Sequence, residues 1–162
     1  MELNLPEFGI VALIGVSGSG KSFFAARHFA AGDIISFAQF AAITGDDGSD
    51  PVLRDATLAL MHKAIEIRLQ HRKPCVVDAT NLRLHLRFAL EVRALGKPMV
   101  VALNMMDAAK HRGIEIDPQV LQRELGVPVV ETVAVRRDGG KALLAQLDAM
   151  TDRLAPPVLQ DV

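Results

Sequence analysis

Eight residues, Gly15-Val16-Ser17-Gly18-Ser19-Gly20-Lys21-Ser22, constrain what this chain can fold into more than any other stretch. They follow an apolar run over residues 8–14 and precede a helical pattern over 23–29. That is the strand, loop and helix setting a Walker A phosphate loop requires. Glycines let the backbone turn so that successive N–H groups point at one phosphate, and the helix beginning near Lys21 adds the positive end of its dipole. The expected nucleotide-binding set is Gly15, Val16, Ser17, Gly18, Ser19, Gly20, Lys21, Ser22 and Phe23. Within it Lys21 reaches the β- and γ-phosphates as the catalytic residue, and the Ser22 hydroxyl ligates Mg²⁺. The ligand implied is a nucleoside triphosphate, ATP or GTP.

At 162 residues the chain is the length of one domain, able to bury about 70% of its unfolded surface. Half of its residues are hydrophobic and 23% are charged, which places it among globular chains and not disordered ones. A net charge of −1 gives no global attraction to nucleic acid or to acidic membranes. Tyr and Trp are absent, which removes two common base-stacking side chains and leaves seven Phe. Nucleic acid is therefore a weakly supported partner. Cys75 is the single cysteine, so no internal disulfide can form. With no basic segment at the start and no apolar run near ~18 residues, the expectation is a cytoplasmic chain without a membrane contact. Oligomeric state is not legible.

The elements alternate along the chain. Strands are expected at Ile10–Ile14, 33–36, 74–78, 99–103 and 127–135. The helix after the phosphate loop is expected to close at Gly32, a suitable residue just past a helix end. A short helix follows over 37–44. Asp50 and Pro51 then open a long helix whose apolar stripe reads Leu53, Ala56, Leu60, Ala64 and Ile67. Asn81 caps a further helix ending at Gly96, Asp117-Pro118 open another that stops at Gly126, and a last one carries Leu143, Leu144, Leu147, Met150 and Leu154. This alternation predicts an α/β, three-layer α/β/α sandwich of the P-loop nucleotide-hydrolase type with a five-stranded parallel sheet. Ligands bind at the carboxyl ends of such strands. The phosphate loop, Asp78, Asn104 and Asp107 all fall at that edge.

Two resemblances follow from quoted strings. The loop at 15–22, Ala-Arg-His-Phe at 26–29, Ile-Ile-Ser at 34–36, Asp46-Asp47 and Val-Val-Asp-Ala-Thr-Asn at 76–81 resemble the bacterial polynucleotide kinase family. From Val76-Val77-Asp78-Ala79-Thr80-Asn81-Leu82, through Val-Ala-Leu-Asn-Met-Met-Asp at 101–107 and Arg-Gly-Ile-Glu-Ile-Asp at 112–117, to Leu-Gly-Val-Pro-Val-Val at 125–130, the chain is similar to the G domain of the bacterial ferrous iron transporter B family. The two overlap only at the shared string. The pattern is that of kinase-like residues 8–75 joined to G-domain-like residues 76–150, a chimera or a divergent natural P-loop protein, within one domain over 1–155 and a flexible tail over 156–162. The kinase resemblance implies strand order 2-3-1-4-5. The G-domain one implies 2-1-3-4-5 and is favoured, because every strand after the join comes from that half.

Each resemblance also implies chemistry. The kinase family places its general base and a phosphate-binding arginine in a Ser-x-Asp-x-x-Arg segment. Here Ser36-Phe37-Ala38-Gln39-Phe40-Ala41 has alanine at both positions, so 5′-hydroxyl transfer is expected to be weak or absent. In the G-domain resemblance Asn104 and Asp107 form the Asn-x-x-Asp pair that reads guanine, and Thr132 to Ala134 match the loop after the last strand. No Asp-x-x-Gly lies between the phosphate loop and Asn104, so GTPase switching is not expected, and with no membrane part in the sequence neither is iron transport. Asp78 is either a Mg²⁺ organiser, as in the kinases, or structural. Asp46 and Asp47 read as loop residues, the five histidines as ordinary helix residues. Arg68, His71, Arg72, Lys73, Arg83, His85 and Arg87 read as a solvated basic face. The expectation is Mg²⁺-dependent triphosphate binding with kinase ancestry; a guanine-nucleotide module and an active polynucleotide kinase are the alternatives.

Overall fold

A computed structural model of the chain describes residues 3, 5, 9–79, 82–104, 111, 113, 115–133, 136 and 138–154. Five parallel strands form one sheet among these residues: β1 (Ile10–Ile14), β2 (Ile34–Ser36), β3 (Cys75–Asp78), β4 (Met99–Asn104) and β5 (Val129–Thr132). The three middle strands are apolar at nearly every position because both of their faces are covered. Ile10, Ala12, Ile14, Cys75, Val77, Met99, Val101 and Leu103 point into one core layer, while Val11, Leu13, Val76, Val100 and Ala102 point into the other.

Helices α1 (Lys21–His28) and α6 (Lys141–Leu154) cover the second layer through Phe24, Ala25, Leu143, Leu147 and Met150. On the first lie α2 (Phe37–Thr44), α3 (Pro51–Gln70), α4 (Leu82–Arg93) and α5 (Pro118–Leu125). The α/β/α sandwich predicted from the alternation is the fold observed. Its helix starts follow local chemistry. Asp50 and Asp117 each accept from the first backbone N–H groups of their helix and are followed by Pro, and Ser36 and Gln39 form a reciprocal capping box at α2. Gly126 (φ 64°) closes α5.

Several expectations change. The strand order is β2-β3-β1-β4-β5, the arrangement implied by the kinase resemblance and not the favoured 2-1-3-4-5. Burial of β2 at an edge and of β3 between two neighbours suits either order. What separates them is that β1 pairs with both β3 and β4, which lets Asp78 and Asn104 both reach the phosphate loop, whereas 2-1-3-4-5 would part β4 from β1. Helix α1 ends at His28 and not at Gly32: Phe29 is already extended (φ −127°, ψ 155°), and Gly32 sits in a short 3-10 turn over Ala31–Asp33 leading into β2. The α3 stripe read from the sequence faces outward, with Leu60 46% and Ile67 45% exposed; the buried face is Thr57, Leu58, Met61, Ile65 and Leu69. Strand β5 is shorter than 127–135.

Arg68 is not part of a solvated face. Its guanidinium donates to Asp33 Oδ1 at 2.7 Å and to the Pro74 carbonyl at 2.9 Å, tying the end of α3 to the turn before β2. The side chains of Arg83, His85 and Arg87, the Asn81 cap and the segment 156–162 lie outside the described residues. Asp46 and Asp47 are loop residues: their carboxylates accept the N–H groups of Gly48 and Ser49. No helix among the described residues is long and apolar enough to cross a membrane.

Candidate functional site

The loop over 15–20 joins the end of β1 to the start of α1 at the carboxyl edge of the sheet. Two left-handed glycines, Gly18 (φ 77°) and Gly20 (φ 78°), let it turn back over the strand. Lys21 is buried beneath the loop, and its Nζ donates to the carbonyls of Gly15 at 3.1 Å and Val16 at 3.0 Å. Burial pushes the ammonium below its ordinary pKa, and the Asp78 carboxylate partly restores it. The loop's shape is thus held by the side chain expected to meet a phosphate.

One residue on, Ser22 Oγ donates to Asp78 Oδ2 at 2.6 Å. This contact exists because β3 lies directly beside β1, which places Asp78 in register with Leu13 at the same sheet edge. Asp78 is buried; desolvation raises its carboxyl above the usual range, against the opposing effects of the Ser22 hydrogen bond and Lys21. Ser17, Gly18, Lys21, Ser22, Ser36, Ala38, Asp78 and Ala79 line a cavity of about 160 Å³. Among the expected residues, Lys21, Ser22 and Asp78 come together there. Ser36 and Ala38 were not in the expected nucleotide set. Their signal was the position of Ser36 at the end of β2, on the ligand-binding edge.

On the other flank the loop is pinned to β4. The Asn104 amide is buried, and its Nδ2 donates to the Ser19 carbonyl at 2.7 Å. Thr132 Oγ1, at the end of β5, donates to Asn104 Oδ1 at 3.4 Å and fixes the orientation of the amide. A Cβ at Gly15 would lie 2.8 Å from the Asn104 carbonyl oxygen, so this approach needs glycine. Asp107 and Ala134 lie outside the described residues. No group of three or more His, Cys, Asp or Glu side chains is placed to hold a metal among the described residues.

The family model described as ferrous iron transport protein B matches residues 60–147, more than half of the chain. The chain belongs to that family. An Fe(2+) transporter FeoB from Legionella pneumophila is 43% identical over 81 residues, which is 50% of this chain and 11% of the relative. The FeoB of Salmonella typhimurium is 44% identical over 73 residues, 45% of this chain and 10% of that one. The chain therefore spans about a tenth of the length of these FeoB relatives. Among solved structures, the FeoB G-domain from Methanococcus jannaschii superposes with a TM-score of 0.52 at 22% identity, covering 94% of this chain and 99% of that one. A putative kinase from Chloroflexus aurantiacus gives 0.50 at 11% identity over 93% and 97%. Both describe the fold alone. The FeoB match starts at residue 60, downstream of the phosphate loop, and includes Asp78, Asn104 and Thr132.

Proposed function

We propose that this member of the ferrous iron transport protein B family binds a nucleoside di- or triphosphate with Mg²⁺, with guanine as the preferred base, and transfers phosphoryl groups weakly or not at all. The observation that carries the reading is the meeting of Lys21, Ser22 and Asp78 on the phosphate loop. A buried ammonium and a buried carboxylate are costly to hold ionised, and an anionic phosphate for one and a cation for the other relieve both costs. The hydroxyl and carboxylate oxygens are hard donors suited to Mg²⁺, which would neutralise phosphate charge when bound. Lys21 would bind the phosphates, Ser22 would offer its hydroxyl oxygen to the metal, and Asp78, which accepts from Ser22, would help hold it. In this reading residues 1–155 act as one nucleotide-binding unit, and cytoplasmic placement stays part of the proposal.

Guanine preference rests on family membership together with Asn104, the buried first member of the Asn-x-x-Asp pair. The second reading, kinase ancestry with ATP as donor, rests on the kinase-like strings before residue 76 and on the Ser22–Asp78 contact; the strand order does not separate it from the G domain, which superposes over 94% of the chain. Efficient transfer to a 5′-hydroxyl is disfavoured because Ala38 lines the cavity where that family carries its base.

Isothermal titration with ADP, ATP, GDP and GTP in Mg²⁺, beside Lys21→Ala, tests the proposal. Binding by the parent chain and its loss in the variant are expected. Stronger GDP and GTP binding that collapses in Asp107→Ala supports the guanine reading, whereas preference for ATP sinks it. Phosphate transfer from ATP to a 5′-hydroxyl oligonucleotide would reinstate the kinase.

A further inference from the structure

Phe23 departs from the pattern of the other Phe side chains among the described residues. Phe24, Phe29 and Phe37 are buried and Phe40 packs partly against the core, yet Phe23 is 57% exposed. It follows Ser22 in the first turn of α1, whose buried face is Lys21, Phe24, Ala25 and His28. Helical periodicity places Phe23 and Arg27 away from that face. The Arg27 guanidinium lies 5.9 Å from the Phe23 ring centroid, an i, i+4 cation–π pair that orders an aromatic plane in the first turn of α1, one residue past Ser22.

The two flanks of the loop differ. On the β3 side stand Ser22 and Asp78, the oxygen donors expected to take the metal and the terminal phosphates. On the β4 side Asn104 is bonded to Ser19. We propose that a nucleotide whose outer phosphates face Ser22 and Asp78 leaves the loop over the first turn of α1, with its nucleobase stacked on the Phe23 ring, a platform that Arg27 braces. The inference rests on the nucleotide-binding reading and assigns its nucleoside subsite. Stacking uses the π face that every base presents, so this platform contributes affinity without choosing between adenine and guanine. The choice is left to the β4 edge.

The chain has no Trp, which makes the test direct. Titration in Mg²⁺ with GDP, ADP and the base-free probe tripolyphosphate separates the subsites. Phe23→Ala is expected to weaken both nucleotides roughly tenfold while shifting tripolyphosphate less than twofold, and Phe23→Tyr to retain nucleotide affinity. Phe23→Trp introduces a sole indole whose emission is expected to be quenched by GDP and unmoved by tripolyphosphate. Equal losses for tripolyphosphate and nucleotides in Phe23→Ala, or no loss for either, overturn the platform. So does an indole that responds alike to all ligands. A parent chain that binds tripolyphosphate and GDP equally well leaves the phosphate site standing and removes the nucleoside subsite. Binding of neither overturns the nucleotide-binding reading itself.

Discussion

A methyl group at position 15 would lie 2.7 Å from Ser19 Oγ and 2.8 Å from the Asn104 carbonyl oxygen. The second contact is with backbone and cannot be relieved by a rotamer change. Gly15→Ala is therefore expected to cost about 1–3 kcal/mol in urea unfolding and to weaken nucleotide binding, by pushing the loop off β4. Asp78 illustrates the opposite relation between stability and function. Burial raises its carboxyl, so the folded chain holds that proton more tightly than the unfolded chain does. The stabilising effect of the protonated form is fully present below the unfolded pKa and is lost as pH rises through the folded one. At neutral pH the ionised carboxylate consequently weakens the fold. Asp78→Asn should raise the melting midpoint at pH 7 by about 2–4 °C, an advantage that shrinks on acidification toward about pH 4. Circular-dichroism melts at several pH values read this, and the same variant should lose the Mg²⁺-dependent part of nucleotide affinity.

At the scale of elements, α3 carries two apolar stripes on opposite sides. Val52, Ala56, Leu60 and Ile67 look outward, and Leu58, Met61, Ile65 and Leu69 look into the core. Periodicity identifies a helix from either stripe and cannot say which one the sheet receives. Met61→Ala should cost about 2–4 kcal/mol in urea unfolding and Leu60→Ala below about 1 kcal/mol; the reverse ranking would restore the face read from the sequence. What was legible in the chain was what local chemistry decides: the glycines and lysine of the phosphate loop, Asp50-Pro51 and Asp117-Pro118 at helix starts, Gly126 at a helix end. The end of α1 was not. Gly32 offers a stop signal, but the helix had already ended at His28, where the Leu3 N–H donates to the His28 carbonyl at 2.7 Å and the chain extends through Phe29. Likewise, Asp78 was recognisable as a strand-end carboxylate, whereas its bond to Ser22 depends on a neighbour fifty-six residues away.

Over the whole molecule, the order β2-β3-β1-β4-β5 sets β1 and its phosphate loop in the middle, with Asp78 approaching from β3 and Asn104 from β4. No local string encodes that order, and burial alone does not choose it; it rests on β1 pairing with β3 on one side and β4 on the other. The loop is thereby a place where the segment before residue 60 and the family-matched segment after it meet through polar side chains, with Thr132 extending the link to β5. A ligand that binds the loop must then stabilise both segments together. At a nucleotide concentration of about one hundred times Kd the fold should gain about 2.7 kcal/mol, equivalent to a rise of roughly 5–10 °C in melting midpoint. Amide hydrogen exchange with saturating GDP and Mg²⁺ should show slowed exchange in β1 and α1 and also in β3, β4 and β5. Protection should be absent in Lys21→Ala. In Asn104→Ala it should persist around residues 15–23 and Asp78 but weaken in β4 and β5, because the amide that carries the coupling is gone. Ligand protection confined to residues 15–23 in the parent chain would mean that the two segments are neighbours in one fold without sharing a binding event.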